Sequence, residues 1–171
     1  MDDLIKYNKV QITYDIDLLF KQVQAKSVYL AHSVPAQNTQ EKQFAITENE
    51  RDFFEMELRY AADILYNALY SATKQVDDSY SYNQIDPANN NRRLIIYQLK
   101  LPENYNLVGV KMIHSSGERV LISQILFVWF RNCGVAQAAS ACFSDLNEGL
   151  SSVTSSIIKR KLSISRPQSI F

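Results

Sequence analysis

Residues 47–74 read TENERDFFEMELRYAADILYNALYSATK, and this stretch decides the fold class. Thr47-Glu48-Asn49-Glu50 is a capping box: the Thr47 hydroxyl accepts from the Glu50 amide, while the Glu50 carboxylate reaches back to Thr47. Behind it Phe54, Leu58, Ala61, Leu65, Ala68 and Ala72 step by four, three, four, three and four residues. That spacing predicts a helix to about Lys74, roughly 40 Å long at 1.5 Å per residue. Large and small side chains alternate along the stripe, which lets a neighbouring helix come close. Phe53, Tyr60 and Ile64 widen it into a second buried face, so the helix is expected at the centre of a bundle.

Working toward the N-terminus, residues 34–46 are polar and interrupted by Pro35, which predicts a loop. Before them Ile16, Leu19, Phe20, Val23 and Leu30 form an apolar stripe from Thr13 or Asp15 to Ser33, with Asp17–Lys21 as an i,i+4 pair. The acidic start Met1-Asp2-Asp3 lacks the apolar region of a secretory signal.

Working toward the C-terminus, the period changes. Tyr80 and Tyr82 alternate with Ser79, Ser81 and Asn83. Beyond Asp86-Pro87-Ala88-Asn89-Asn90-Asn91, Ile95, Tyr97, Leu99 and Leu101 alternate again. Two period-2 runs around a Pro/Asn-rich turn predict a β-hairpin over about 79–101. Residues 105–116 fit either a short strand or a loose helical turn. A third helix is expected from Gly117 to Asn132, apolar nearly all round and therefore the most buried, and Gly134 stops it. Its greasiest run, Val120 to Phe130, is about half the length needed to span a bilayer. The fourth helix, Val135 to Lys161, carries Ala136, Ala139, Phe143, Leu146, Leu150, Val153 and Ile157 in heptad-like steps. Residues 162–171 have no period, and Pro167 favours an extended course. The expected architecture is mainly α: one domain over 1–171, a four-helix bundle with a small hairpin between the second and third helices.

The chain has 171 residues and no net charge, but the charge is uneven. Residues 1–85 hold 8 basic and 13 acidic side chains, a net of −5; residues 86–171 hold 10 basic and 5 acidic ones, a net of +5. Two halves of one domain attracting each other explain this, and so does head-to-tail contact between subunits. Cys133 and Cys142 are too far apart on one helix to bridge and read as buried thiols.

The motifs of known chemistry are missing. Glycine is scarce, with four in all, and no Walker, Rossmann or Gly-x-Ser-x-Gly pattern occurs. His32 and His114 lack metal-ligand spacing. Ser71-x-x-Lys74 and Ser156-x-x-Lys159 stand without the partner motifs of penicillin-recognising enzymes. The acidic run Glu48, Glu50, Asp52, Glu55 and Glu57 suits a solvated helix start, with Glu55–Arg59 as an i,i+4 pair. No enzyme, metal or cofactor is expected, although an enzyme of unknown type stays as a third hypothesis. The basic patch Lys159-Arg160-Lys161 with Arg166 is too narrow for a nucleic-acid footprint, and it complements a helix C-terminus. The ten tyrosines offer amphipathic contact area of the kind protein interfaces favour. Tyr80, Tyr82 and Tyr97 either serve a partner in this way or pack on their own bundle.

Tyr97-Gln98-Leu99-Lys100-Leu101-Pro102-Glu103-Asn104-Tyr105-Asn106, a helix ending Leu126-Phe127-Val128-Trp129-Phe130, and the tail Lys159-Arg160-Lys161, Arg166-Pro167 and Phe171 follow in that order. The arrangement resembles small virion structural proteins of tailed phages and prophages of Bacteroides-type gut bacteria, over roughly residues 92–171. It departs from their pattern in a single Arg before Pro167, where two are usual, and in a Ser-rich last helix. The resemblance implies a neck or tail-completion subunit, set in rings between head and tail, whose partners are other virion proteins and copies of itself. Its place would be the host bacterial cytoplasm during assembly and then the virion. Interaction is expected through Tyr80, Tyr82, Tyr97, Arg160, Lys161, Arg166, Pro167 and Phe171, away from any membrane. The competing reading is a cellular helical adaptor or regulator that holds a partner between its helices.

Overall fold

The computed structural model describes residues 7–33, 44–73, 80–89, 91–102 and 105–162. Strand β1 (Tyr7–Asp15) leads straight into helix α1 (Ile16–Ser33). A single 3-10 turn (Glu48–Glu50) opens helix α2 (Arg51–Thr73). Strands β2 (Ser81–Asp86) and β3 (Arg92–Pro102) follow, then helices α3 (Leu107–Asn132) and α4 (Ala136–Leu162).

The four helices stand where the stripes put them, but the expectation of a lone hairpin is corrected. The sheet has three antiparallel strands in the order β1-β3-β2, with β1 paired to β3 from Tyr7↔Pro102 to Asp15↔Leu94. Val10, Ile12 and Tyr14 alternate with Lys9, Gln11 and Thr13, a strand pattern that the Pro/Asn turn of the hairpin overshadows. Ile12, Tyr14, Ile95, Tyr97, Leu99 and Leu101 are buried, which makes β3 the middle of the sheet and part of the main core. At the β2 edge, Asn83 adopts a left-handed φ of 58° within an irregular register between Ser81 and Gln84. Such an irregularity blunts an edge strand against further pairing.

Residues 105–116, open to two readings in the sequence, start α3 ten residues earlier than expected. Asn106 caps that helix, its side chain accepting from the Val108 amide at 2.8 Å. A glycine-initiated helix at 117 is thereby replaced. Gly117 lies inside the helix because Tyr14 occupies the notch it leaves: a Cβ there would sit 2.1 Å from the Tyr14 hydroxyl. Gly134, at φ 75°, ends α3, with the Val135 amide donating to the Phe130 carbonyl and the Gly134 amide to the Arg131 carbonyl. α4 then returns along α3, and Gly149 lets the two helices approach closely at Val120.

The core stripe of α2 is buried at Phe54, Leu58, Ala61 and Leu65, and Ala62 and Leu69 join it. Three expected core positions depart from this: Tyr60 on α2 and Ala136 and Phe143 on α4 are exposed, and Cys142 takes an inward position on α4. Burial pushes the Cys142 thiol up to about 11, and both cysteines are free thiols. The capping box is present, with the Thr47 amide donating to Glu50 at 2.7 Å. Among the described residues no helix is long and apolar enough to cross a membrane.

Candidate interaction surface

Helix α2 has two sides that do different work. Along one of them runs β2, held by its tyrosines. The Tyr80 hydroxyl donates to Asp63 at 2.7 Å, and the Tyr82 hydroxyl donates to the Glu55 carbonyl at 3.2 Å. Tyr97 reaches α2 from the central strand and donates to the Ala62 carbonyl at 3.0 Å. The rings form a file: Tyr14 meets Tyr97 edge-on at 6.0 Å, Tyr97 stacks on Tyr80 at 5.1 Å, and Tyr80 lies 5.7 Å from Tyr66. Burial raises the Tyr14, Tyr97, Tyr80 and Tyr82 hydroxyls above their ordinary range, so they stay neutral donors. Of the three tyrosines singled out by the sequence, Tyr97 is fully buried, while Tyr80 and Tyr82 are half-buried with their hydroxyls on α2. Arg166, Pro167 and Phe171, with the extended course expected beyond Leu162, lie outside the described residues, as do the side chains of Arg160 and Lys161.

The outer face of α2, which borders β2 at Asp63, is turned to solvent. Asp52, Met56, Tyr60, Asp63, Asn67 and Tyr70 succeed each other at steps of four, four, three, four and three, and every one is exposed. Met56 is 63% exposed, Tyr60 59% and Tyr70 51%. Scattered exposed apolar residues need no explanation, but Met56 and Tyr60 are neighbours on one helical row, and Tyr70 stands on the same row beyond Asp63 and Asn67. The periodicity that marks the inner stripe marks this one too. Sequence reasoning placed Tyr60 inside and passed over Met56 and Tyr70; the same steps counted from Asp52 would have found the row.

The two arginines of α2 have partners off this row. Arg51 pairs with Asp17 and contacts the Phe20 ring face at 4.7 Å, and Arg59 lies 5.1 Å over the Tyr82 ring. Arg93 of β3 completes the network, donating to Asp17 at 3.0 Å and to Glu55 at 2.8 Å. The Arg93 hydrogen bond, followed by that of Arg51, keeps the Asp17 carboxyl below the usual carboxylate range. Asp17 and Glu55, expected to pair along their helices with Lys21 and Arg59, pair instead with Arg51 and Arg93, Glu55 keeping an i,i+4 contact with Arg51 at 3.5 Å. A second network joins Lys26 and Arg119 to Asp145, at 2.9 and 2.8 Å, and Arg119 to Glu148 at 2.7 Å. Arg92–Asp15, Arg93–Asp17 and Arg93–Glu55 all join the basic half to the acidic half, so part of the charge split is answered within the chain.

His114 stacks on Tyr14 at 4.8 Å and places Nε2 3.0 Å from the Thr13 carbonyl, a packing role at the seam of β1 and α3. Among the described residues no group of His, Cys, Asp and Glu is placed to hold a metal ion. Set against known proteins, the chain matches no family model, no curated protein and no solved structure.

Proposed function

We propose that this chain is a non-enzymatic assembly subunit that acts by packing against copies of itself and other proteins, as a head–tail connector or tail-completion component of a phage or prophage virion. The observation that carries the assembly part is the outer row of α2. It presents three large apolar side chains at helical spacing on a helix held in place by core packing and by tyrosine hydrogen bonds from β2. An apolar row on a rigid helix is the complement of a partner helix or segment. The ion networks brace α1, α2, β3 and α4 into a scaffold that holds the row in one geometry, and little ordering entropy remains to oppose docking. The virion part rests on the resemblance over residues 92–171, and with it go passage from the host cytoplasm into the particle and contact with protein rather than DNA.

The test has two arms. Sedimentation velocity of the purified chain at rising concentration is expected to show self-association. Peptide mass spectrometry of particles purified from an induced culture of the source strain is expected to find the chain among the structural proteins. A chain that associates but is missing from particles favours the cellular adaptor. A chain that is monomeric at every concentration and missing from particles overturns the proposal.

A further inference from the structure

We infer that the outer row of α2 seats the basic end of α4 and the segment beyond it, residues 159–171, of a second copy of this chain. The inference rests on the assembly reading and adds the two surfaces that meet.

The receiving row combines carboxylates with apolar side chains. Asp52 and Asp63 lie on it with Met56, Tyr60 and Tyr70 around them, and Glu57 stands one row over. Arg51 is paired with Asp17, and Arg59, which leans over the Tyr82 ring, is the one cation beside the row among the described residues, so Asp52, Glu57 and Asp63 leave it net acidic. The delivered segment has the complementary make-up: Lys159, Arg160, Lys161 and Arg166, then Ile170 and Phe171. Asp52 and Asp63, about three helical turns apart, can each take one ammonium or guanidinium group of a basic segment. Tyrosine rings take the flat face of a guanidinium, and methionine and tyrosine together take the isoleucine and phenylalanine.

The charges also argue against the simplest alternative, in which two outer rows pack on each other. That pairing would bring the Asp52 and Asp63 carboxylates of both copies into one interface, where like charges oppose association. Docking of segment on row instead joins the acidic half of one copy, −5 overall, to the basic half of the next, +5 overall. Row and segment are different surfaces, so the contact is heterologous. Each copy both gives and receives, and the assembly closes as a ring or continues as a filament.

The experiment uses the full chain and two double variants, Met56→Ser with Tyr60→Ser and Ile170→Ser with Phe171→Ser, in sedimentation equilibrium at low and high salt. Wild type is expected to associate more strongly at low salt, and each variant to associate about tenfold more weakly or worse, as loss of central apolar anchors does. An equimolar mixture of the two variants is expected to form a one-to-one complex that grows no further, since each supplies one intact surface. If only the α2 variant loses association and the mixture does not pair, two rows pack on each other and this inference falls while the assembly reading stands. If both variants associate like wild type, the contact lies elsewhere and the inference again falls alone. If wild type is monomeric throughout, both fall.

Discussion

The two faces of helix α2 carry the same arithmetic and meet opposite surroundings. Phe54, Leu58, Ala61 and Leu65 repeat at intervals of three and four and are sealed from solvent. Two residues out of phase, Met56, Tyr60, Asp63, Asn67 and Tyr70 repeat at the same intervals and stand in water. The inner face is made of apolar groups, none of them β-branched, and no hydroxyl or carboxylate occurs in it. The outer face mixes methionine and tyrosine with acids and an amide, which tolerate water on one side and a partner on the other. Periodicity therefore tells that a face exists, while its composition tells what the face meets.

That difference is sharpest at Phe54 and Met56, two residues apart. Phe54→Ala empties a sealed site beside Phe20, whose ring lies 4.8 Å away, and is expected to cost about 3–5 kcal/mol in chemical denaturation. A cost under about 1 kcal/mol, the range of surface changes, would break the division between the faces.

Gly117→Ala probes the far side of the inner face. The new methyl meets the Tyr14 hydroxyl and lies 3.1 Å from Leu65 Cδ2, so tyrosine and leucine must both give way. About 1–3 kcal/mol of lost stability is expected, as for other overpacked cores, and Tyr14→Phe in the same chain is expected to recover part of it. Absence of that recovery would show that the tyrosine does not fill the notch.

Glu55 stands at the boundary between the faces, where Arg93 ties it to Asp17. The folded-state value of Asp17 is depressed, so its pair contributes stability above the ordinary carboxylate value, near pH 4, and that contribution is lost as pH falls through the lower folded value. Asp145, lowered first by Arg119, behaves in the same way. Arg93→Gln is expected to bring Asp17 back toward its ordinary value and to start acid unfolding at a higher pH. A carbon-detected titration of the Asp17 carboxyl follows the first effect and circular dichroism the second; an unmoved titration would remove Arg93 from the network. Last and smallest, Met56→Ser with Tyr60→Ser is expected to leave monomer stability within about 0.5 kcal/mol of wild type, as exposed sites do. A larger loss would mean that the outer row belongs to the core.

The sequence made some of this plain and hid the rest for physical reasons. Helices α1, α2 and α4, the Thr47 capping box, the Asp86–Asn91 turn and the Gly134 stop all rest on neighbours close in the chain, where spacing and caps are visible. β1 rests on β3, far along the chain, and no local signal names a distant partner. The first ten residues of α3 went unread because their apolar residues, Val108, Val110 and Met112, alternate like a strand, while the deciding group is the Asn106 cap. The tyrosines of the hairpin were visible as amphipathic groups, but the direction they face depends on the packing of β2 along α2. The outer row was hidden because Tyr60 falls equally well on a second buried face with Phe53 and Ile64, and spacing alone does not tell which way it turns. The partners of Asp17 and Glu55 were hidden because the fold sets the Arg93 guanidinium between the two carboxylates, while Arg59 turns over the Tyr82 ring.

The pairing of β1 with β3 also imposes an order in time. Partners in that ladder are 79 to 95 residues apart, from Asp15–Leu94 to Tyr7–Pro102. As the chain leaves the ribosome, β1 is complete long before its partner exists, and more than half of the protein must be made before the first rung can close. Local pieces, such as the β2–β3 hairpin and the α3–α4 pair, need no such wait, whereas long-range strand pairing must first overcome the entropy of closing the loop. The sheet is therefore expected to close late, with β1 fitting against an already turned hairpin, and until that step the first strand is without the one partner it has in the folded sheet.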